Sequence, residues 1–429
     1  MLNDNSPSIK EEGMEPYDVI IIGGGIAGLY CARQLLRAHP SLRIVLCEHY
    51  KVLGGRMATY HKTLPGGLDV QWEIGAGRIS DSHVRLHALL REYGLHTAPI
   101  GGDLMYKESS SSALEPNIFE PSLDILFGPL LGLPADVLAK HTLQELLISI
   151  HGKKATQKWM DRFPYHSELA YLRADEGLRE FSNEMKSHEG FSVCVEGLGA
   201  LAEKIAAECV ERGAVILTKH TCTGLGKGWA EFTTEEGGRK IHAKKIICAL
   251  HAKAMREIPF FEGFSTLKKI QMEPLTRMYA VFPLRGGKAW FHGLPRIVTP
   301  MPIRYVLPID QVKGTIMISY TDSKFSRAFS GKEDPEREVM KEIRALFPEK
   351  DIPDPLFFKV HEWEEGVSYW LPGTYDVKKE SERALVPFPK VYPGLFVCGE
   401  SFSERQGWVE GALEHAALLL WKKFHVREE

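Results

Sequence analysis

Apolar and polar positions near the start of the chain follow the order strand, helix, strand. Residues 18–22 form a largely apolar run that stops at three glycines. Residues 26–38 then carry apolar side chains at helical spacing until Pro40, and residues 43–48 form a second apolar run. Uninterrupted apolar strands are typical of a parallel sheet that is covered on both faces. This pattern therefore predicts a strand–helix–strand unit.

The same alternation returns further along the chain. Strands are predicted at 191–196, 214–217, 244–250 and 394–398, and helices at 83–93, 200–212 and 411–424. Residues 145–185 have a mostly helical pattern, whereas residues 256–385 contain short β-rich segments with frequent prolines. Strands that alternate with helices are typical of an α/β fold with a parallel sheet.

The alternation predicts two interleaved domains of an α/β protein, each built from separated pieces of the chain. One is a Rossmann-like domain, and the other is a mixed β-sheet and helical substrate-binding domain. The predicted boundaries are a disordered lead-in over 1–16, the Rossmann-like domain over 17–100, 186–255 and 386–429, and the substrate-binding domain over 101–185 (a helical insertion) and 256–385.

Composition and charge narrow the class of protein. The 429 residues are 44% hydrophobic and 25% charged, a composition typical of globular proteins. The net charge of -3 offers no basic surface for nucleic acid. The longest uncharged apolar stretch is too short and too rich in glycine to span a bilayer. The seven cysteines are scattered and never form a CxxC pair, which indicates reduced thiols in a cytoplasmic protein and no metal site.

A glycine-rich turn joins the first predicted strand to the first helix. Its pattern is GxGxxG, and the expected cofactor contacts within it are Gly23, Gly25, Ile26, Ala27 and Gly28. Such glycines allow a tight turn, close approach to a pyrophosphate and helix packing. Glu48 follows at the end of the second strand, where its carboxylate can accept hydrogen bonds from an adenosine ribose. The unit predicts a dinucleotide site, and a plain turn in an α/β core is the alternative.

Two further glycine motifs bear on the choice between FAD and NAD. Gly55 and Arg56 follow Glu48 in a Gly-Gly-Arg turn, and an arginine beside the pyrophosphate favours a tightly held FAD. Gly197 and Gly199 belong to a GxGxxA pattern that precedes a helix. The strand after that helix ends without an acidic residue, so a turn for helix packing is the preferred interpretation. An NAD(P) site stays the alternative.

Four separated blocks of sequence resemble the flavin-dependent amine oxidases, a family that includes monoamine, polyamine and L-amino-acid oxidases. The blocks are residues 19–28 with Glu48, residues 53–57, residues 73–78, and residues 397–400 followed by 407–412. In this family the last block lies beside the flavin, and the helix N-terminus that faces the ring stabilises negative charge. The resemblance implies an FAD-binding domain of the amine oxidase type.

The resemblance also implies individual contacts to FAD. Beyond the glycine turn and Glu48, they are Gly55, Arg56, Gly75, Ala76, Gly77, Arg78, Cys222, Gly399, Glu400, Trp408, Val409 and Ala412. Cys222 matches a strand that hydrogen-bonds adenine through its backbone in the family. Residues 363–373 contain no cysteine where monoamine oxidases link their flavin covalently, so we expect non-covalent FAD.

The segment around Arg78 resembles the L-amino-acid oxidases, whose arginine binds the substrate carboxylate. A guanidinium can bind a carboxylate through two parallel hydrogen bonds. Trp408 is expected to form one aromatic wall beside the flavin, and Tyr369 or Trp370 the other. Arg277 takes the place of a lysine that usually holds a water near the reactive flavin nitrogen. A structural salt bridge for Arg78 and core packing for Trp408 are the alternatives.

The leading hypothesis is an FAD-dependent oxidase that converts an L-amino acid and oxygen to a 2-oxo acid, ammonia and hydrogen peroxide by hydride transfer to flavin. A monoamine or polyamine oxidase is the second hypothesis, and a flavoprotein with a structural FAD is the third. The expected partners are a small-molecule amino acid or amine and molecular oxygen, with no nucleic acid and no transmembrane segment. The oligomeric state stays open, with a homodimer as one option.

Overall fold

The computed structural model of the protein describes residues 16–101, 103–185, 190–329 and 331–427. The predicted lead-in over 1–16 lies outside these residues except for Pro16. The described strands are β1 (Tyr17–Ile22), β2 (Ile44–Cys47), β3 (Thr59–Leu64), β4 (Leu68–Glu73), β5 (Ile79–Ser80), β6 (Thr97–Pro99), β7 (Leu104–Tyr106), β8 (Glu115–Pro116), β9 (Phe191–Cys194), β10 (Val215–Leu217), β11 (Thr221–Gly226), β12 (Trp229–Thr234), β13 (Gly237–Cys248), β14 (Ile270–Val281), β15 (Arg296–Val298), β16 (Tyr305–Asp310), β17 (Thr315–Asp322), β18 (Phe357–Trp370) and β19 (Leu395–Val397). The described α-helices are α1 (Ile26–Ala38), α2 (Val84–Glu92), α3 (Leu123–Phe127), α4 (Ala135–Lys140), α5 (Leu143–His151), α6 (Lys153–Arg162), α7 (His166–Ala170), α8 (Ala174–Met185), α9 (Leu198–Glu211), α10 (Ala252–Arg256), α11 (Ser323–Ser326), α12 (Pro335–Leu346), α13 (Val377–Ala384) and α14 (Val409–Leu419).

The first sheet contains the predicted parallel strands. Its order is β10, β2, β1, β13, β12 and β11, with β19 also paired to β13. Strands β10, β2, β1, β19 and the second half of β13 run parallel. Residues 19–22 of β1 are at most 2% exposed, as expected for a strand that is covered on both faces. The carboxyl ends of β1 and β2 lead directly into Gly23 and Glu48, so the sheet brings both residues to one edge.

Helices α1, α9 and α14 cover one face of this sheet and share its apolar core. Helix α1 has the predicted bounds, whereas α9 and α14 each begin two residues earlier than predicted. After α14 the chain continues as a π-helical turn over Leu420–Phe424. Because α14 packs against α1, the last block of sequence is held beside the glycine turn.

The second sheet is mostly antiparallel and has the order β18, β14, β17, β16, β15, β7 and β8. The expectation of short strands is wrong here, because β14 spans 12 residues and β18 spans 14. Pro274 lies within β14 at a register shift between Glu273 and Leu275, so it occupies a bulge and the strand continues past it. A side chain at Gly366 on β18 would overlap Leu275, which explains the glycine at this close approach.

The remaining elements join the two sheets. Helices α3 to α8 share an apolar core of their own, and α5 to α8 account for the helical pattern over 145–185. Strand β9 pairs with both β5 and β6 in a small antiparallel sheet. We propose that the two large sheets mark the two predicted domains. Among the residues described, no helix combines the length and the apolar character that a membrane crossing requires.

Candidate functional site

A cavity of about 480 Å³ is lined by residues of both large sheets. All five positions predicted to act on substrate lie on its wall, namely Arg78, Arg277, Tyr369, Trp370 and Trp408. The predicted cofactor contacts on the same wall are Gly23, Gly25, Ile26, Ala27, Glu48, Gly55, Arg56, Gly75, Ala76, Gly77, Arg78, Cys222, Gly399, Glu400, Trp408, Val409 and Ala412. Gly28 is the remaining predicted contact, and it lies behind the wall.

The glycine turn has the geometry that its sequence pattern predicts. Gly23 has a φ of +106°, in the region that favours glycine. A Cβ at Gly28 would overlap the carbonyl oxygen of Gly23, so α1 could not pack as closely with any larger residue. A Cβ at Gly25 would meet no described atom within 4 Å. Gly25 therefore faces open space, and the first turn of α1 lines the cavity where phosphates would meet its amides.

Glu48 is buried at the end of β2 and faces the cavity. Its carboxylate accepts hydrogen bonds from the backbone amides of Gly24 at 2.6 Å and Tyr50 at 2.8 Å. An ionised carboxylate has about four lone-pair sites. The two amides therefore hold Glu48 in one orientation and leave acceptor capacity for ribose hydroxyls.

A salt bridge connects the Gly-Gly-Arg turn to the last block of sequence. The Nη2 atom of Arg56 lies 2.7 Å from Oε2 of Glu400. Glu400 also accepts hydrogen bonds from the Ser368 hydroxyl at 2.9 Å and the Gly407 amide at 2.7 Å. Glu400 therefore fixes the loop that leads to Trp408, and Arg56 contributes positive charge to the cavity wall.

The N-terminus of α14 is the second helix end on the cavity. Val409 and Ala412 from its first turn line the wall. Glu410 in the same turn accepts the backbone amides of Arg85 and Leu86, both at 2.9 Å, and so joins α14 to α2. Two helix N-termini, the Glu48 carboxylate and the Arg56 guanidinium thus line one cavity. This donor and acceptor set fits FAD.

The backbone amides of the second glycine pattern form hydrogen bonds with other side chains of the protein. The amide of Leu198 donates to Glu73 at 2.7 Å, and the amide of Gly199 donates to the Thr59 hydroxyl at 2.9 Å. A side chain at Gly197 would overlap Thr59. Burial raises the pKa of Glu73 to about 7, against the opposing effect of hydrogen bonds from the Leu198 amide and the Thr59 hydroxyl. The first amides of α9 are therefore used in packing, which supports the interpretation as a packing turn over an NAD(P) site.

Arg78 lies among aromatic rings on the cavity wall. Its Cζ atom is 4.4 Å from the ring centroid of Tyr165, 4.7 Å from that of Phe191 and 5.1 Å from that of Trp408. A guanidinium that lies over aromatic rings keeps its in-plane N–H groups for hydrogen bonding. The structure thus places a planar cation against three aromatic rings on the cavity wall.

Trp408 is half-buried between the cavity and two other rings. Phe191 is nearly parallel to it, with centroids 5.9 Å apart and an interplanar angle of 9°. His83 meets it edge-on at 4.8 Å. Burial, together with the charges of Arg405, His87 and Arg78, lowers the pKa of His83 to about 3. The imidazole behind Trp408 is therefore neutral near pH 7.

The low pKa of His83 predicts a pH dependence of stability. Below pH 6.5, the ordinary pKa of histidine, the His83 imidazole binds a proton in the unfolded chain but stays neutral in the folded protein. The free energy of unfolding therefore decreases as the pH falls. Between about pH 7 and pH 5.5, wild type should lose about 1 kcal/mol more unfolding free energy than His83→Gln. Urea unfolding of both proteins at the two pH values measures this difference. Equal losses would show that His83 does not contribute.

Arg277 supports the segment that carries Arg78. Its Nη1 atom donates to the carbonyl oxygen of Glu73 at 3.2 Å, and the Tyr279 hydroxyl donates to the same oxygen at 2.6 Å. Its Cζ atom lies 4.8 Å from the ring centroid of Tyr320. An arginine stays protonated in proteins. Arg277 therefore adds a fixed positive charge to the cavity wall.

The structure separates the two candidates for the second aromatic wall. Neighbouring residues of a strand point to opposite faces. The indole N–H of Trp370 donates to the carbonyl oxygen of Ser403 at 2.8 Å, so this buried side chain is directed to the loop over 399–407. The Tyr369 hydroxyl lies 3.1 Å from the Ser167 hydroxyl, on the side of the helical insertion. We therefore propose Tyr369 as the second aromatic wall.

Acidic side chains form another part of the cavity wall. They are Glu168, Glu176, Glu180 and Asp322. Asp322 accepts the amides of His166 at 3.1 Å and Ser167 at 2.8 Å, and burial raises its pKa. Glu176 forms an ion pair with Arg179, and burial raises the pKa of Glu176 to about 7. Carboxyl groups therefore lie in the same cavity as Arg78, and burial favours the neutral form of Asp322 and Glu176.

Sequence reasoning missed several residues that contact the predicted ones. Tyr165 and Phe191 surround Arg78, and His83 contacts Trp408. His83 belongs to the segment that resembles L-amino-acid oxidases. Its position in that segment was the only sequence signal that could have identified His83 as part of the site. Tyr165 and Phe191 belong to segments without any motif, and only the fold brings them to the site.

Comparisons with known proteins agree with this geometry. The sequence model of the family described as flavin containing amine oxidoreductase matches residues 26–418. The chain is 22% identical to mouse (Mus musculus) L-amino-acid oxidase over 456 residues, which cover 93% of this chain and 69% of that protein. It is 21% identical to an uncharacterised protein of Acanthamoeba polyphaga mimivirus over 497 residues, with coverage of 95% and 94%.

Solved structures share the fold. Wild-type putrescine oxidase bound to putrescine superimposes with a TM-score of 0.71 at 15% sequence identity, over 94% of this chain and 97% of that one. The predicted α/β fold with an FAD-binding domain of the amine oxidase type is therefore confirmed.

Proposed function

This chain belongs to the flavin-containing amine oxidoreductase family, and we propose from this premise that it is an oxidase of L-amino acids. It is an enzyme, and FAD is its cofactor. The residues around the glycine turn, Glu48, Arg56 and the N-terminus of α14 would hold FAD in the cavity. Membership of the family does not determine which amine is oxidised. The proposal therefore depends on the side chains that would contact the substrate.

The position of Arg78 carries the proposal. Its guanidinium lies on the cavity wall over Tyr165 and Trp408, and the fixed charge of Arg277 lines the same cavity. A stacked arginine suits a substrate carboxylate, because its two parallel donors match the two carboxylate oxygens. An amine without a carboxylate would make no use of these two parallel donors.

The mechanism assigns binding and orientation to the protein. Arg78 holds the carboxylate, and the walls of Trp408 and Tyr369 confine the amino group and Cα of the substrate. Bound FAD would supply the redox chemistry, namely uptake of a hydride from Cα and return of two electrons and two protons to oxygen as hydrogen peroxide. The resulting imine is hydrolysed to a 2-oxo acid and ammonia. The amine reacts in its neutral form, so we assign no general base.

A monoamine or polyamine oxidase is the second candidate. Glu168, Glu176, Glu180 and Asp322 line the same cavity, and carboxylates suit an ammonium group of the substrate. Putrescine oxidase, whose substrate is a diamine without a carboxylate, shares the fold. In this alternative Arg78 would have a structural role.

Product analysis tests the proposal. Purified enzyme is incubated in air with a panel of L-amino acids and with the amines that their decarboxylation would give. We expect an L-amino acid to yield a 2-oxo acid, ammonia and hydrogen peroxide in equal amounts. Oxidation of the amines alone, with aldehyde as product, would support the second candidate. Turnover of neither class would indicate a structural FAD.

A further inference from the structure

Phe191 contacts the two most important side chains of the site without reaching the cavity itself. Its ring centroid lies 4.7 Å from Cζ of Arg78 and 5.9 Å from the ring centroid of Trp408. Within the described part of the chain, Phe191 does not line the cavity, whereas Arg78 and Trp408 do. The phenylalanine therefore lies behind both residues and is positioned to act through them.

The backbone of Phe191 is held on both sides. It begins β9, where it pairs with Ser80 of β5, two residues after Arg78. Its carbonyl oxygen accepts the amide of Ile100 at 2.7 Å, next to β6. A side chain on the central strand of a small sheet has few alternative positions. Strand β9, which carries Phe191, also pairs with the chain next to Arg78. The same small sheet therefore supports both the ring and the guanidinium.

We propose that Phe191 is a positioning residue that orients Arg78 for the substrate carboxylate. This inference rests on the proposed function. A long arginine side chain has several rotamers, and fixing it before substrate binds lowers the entropy lost on binding. The aromatic face attracts the guanidinium, and the parallel contact with Trp408 keeps the ring in place.

The test compares variants at position 191 with and without an aromatic ring. Phe191→Leu keeps an apolar side chain and removes the ring, and it should raise the KM for the best L-amino acid about 2- to 30-fold. The KM for the corresponding decarboxylated amine should stay unchanged, because that amine has no carboxylate. Phe191→Tyr restores a ring and should recover most of the loss. Phe329→Leu makes the same change in the core of the second sheet and should leave KM unaltered.

A double-mutant cycle separates positioning from general support. In an Arg78→Ala background, Phe191→Leu should add no further increase in KM, because its effect passes through the arginine. Equal effects in both backgrounds, or equal effects on amino acid and amine, would overturn the inference. Phe191→Met serves if the leucine variant does not fold. Loss of folding in both would assign Phe191 a structural role and also overturn the inference.

The outcomes distinguish this inference from the proposed function. If Arg78→Ala raises KM strongly and Phe191→Leu has no effect, the inference fails and the L-amino-acid oxidase proposal stands. If Arg78→Ala itself leaves the KM for amino acids unchanged, the proposed function fails first, whatever Phe191→Leu does.

Discussion

Arg78→Ala should raise the KM for L-amino acids roughly 30- to several-thousand-fold, since removing one partner of a buried charge pair costs about 2–5 kcal/mol. Arg78 lies over Tyr165, Phe191 and Trp408, so the loss includes an oriented guanidinium as well as a charge. Steady-state kinetics per bound flavin measures the change. The flavin spectrum should change little, because the proposed role of Arg78 is to bind substrate.

Three comparisons make this result specific. Arg78→Lys should recover only part of the loss, because an ammonium lacks the planar pair of donors. Arg337→Ala removes an exposed arginine of α12 and should leave KM unaltered. Decarboxylated amines should be poor substrates of wild type. If these amines react faster than their parent amino acids, and Arg78→Ala preserves that rate, the carboxylate role of Arg78 is wrong.

Glu48→Ala should weaken FAD binding roughly 10- to 150-fold, because a charged hydrogen-bond acceptor is worth about 1.5–3 kcal/mol. The variant also leaves the amides of Gly24 and Tyr50 without their acceptor, which weakens the turn itself. Equilibrium dialysis against FAD measures the change. We also expect wild-type protein to release intact FAD on denaturation, because the attachment is proposed to be non-covalent.

Glu48→Gln is the matched control for this variant. It keeps one acceptor oxygen in nearly the same volume, so its affinity for FAD should fall between those of wild type and Glu48→Ala. Retention of FAD by Glu48→Ala at the wild-type level would contradict the ribose role. Flavin that stays with precipitated wild-type protein would contradict non-covalent attachment.

Short-range patterns account for the local geometry of the glycine turn and of Glu48. Gly23, Gly28 and Glu48 lie within one strand–helix–strand unit, and their roles depend on local backbone geometry that a sequence pattern encodes. The last block was found through its resemblance to a family. Its place beside the glycine turn then follows from β19, which pairs with β13 in the same sheet as β1.

Long-range packing explains what the sequence did not predict. Tyr165 and Phe191 reach Arg78 from distant segments, and no spacing rule connects them. The choice between Tyr369 and Trp370 needed the pairing of β18 with β14 and the contacts of each side chain. The prolines over 256–385 accompanied the expectation of short strands, whereas Pro274 lies at a bulge within the long strand β14.

Anaerobic mixing tests the central claim most directly. Purified holoenzyme is mixed without oxygen with its best L-amino acid or with the amine formed by decarboxylation, and the visible absorbance of the flavin is followed. We expect the amino acid to bleach the flavin quickly and the amine slowly, and Arg78→Ala to remove most of this preference. Faster bleaching by the amine, unchanged in Arg78→Ala, would contradict an L-amino-acid oxidase.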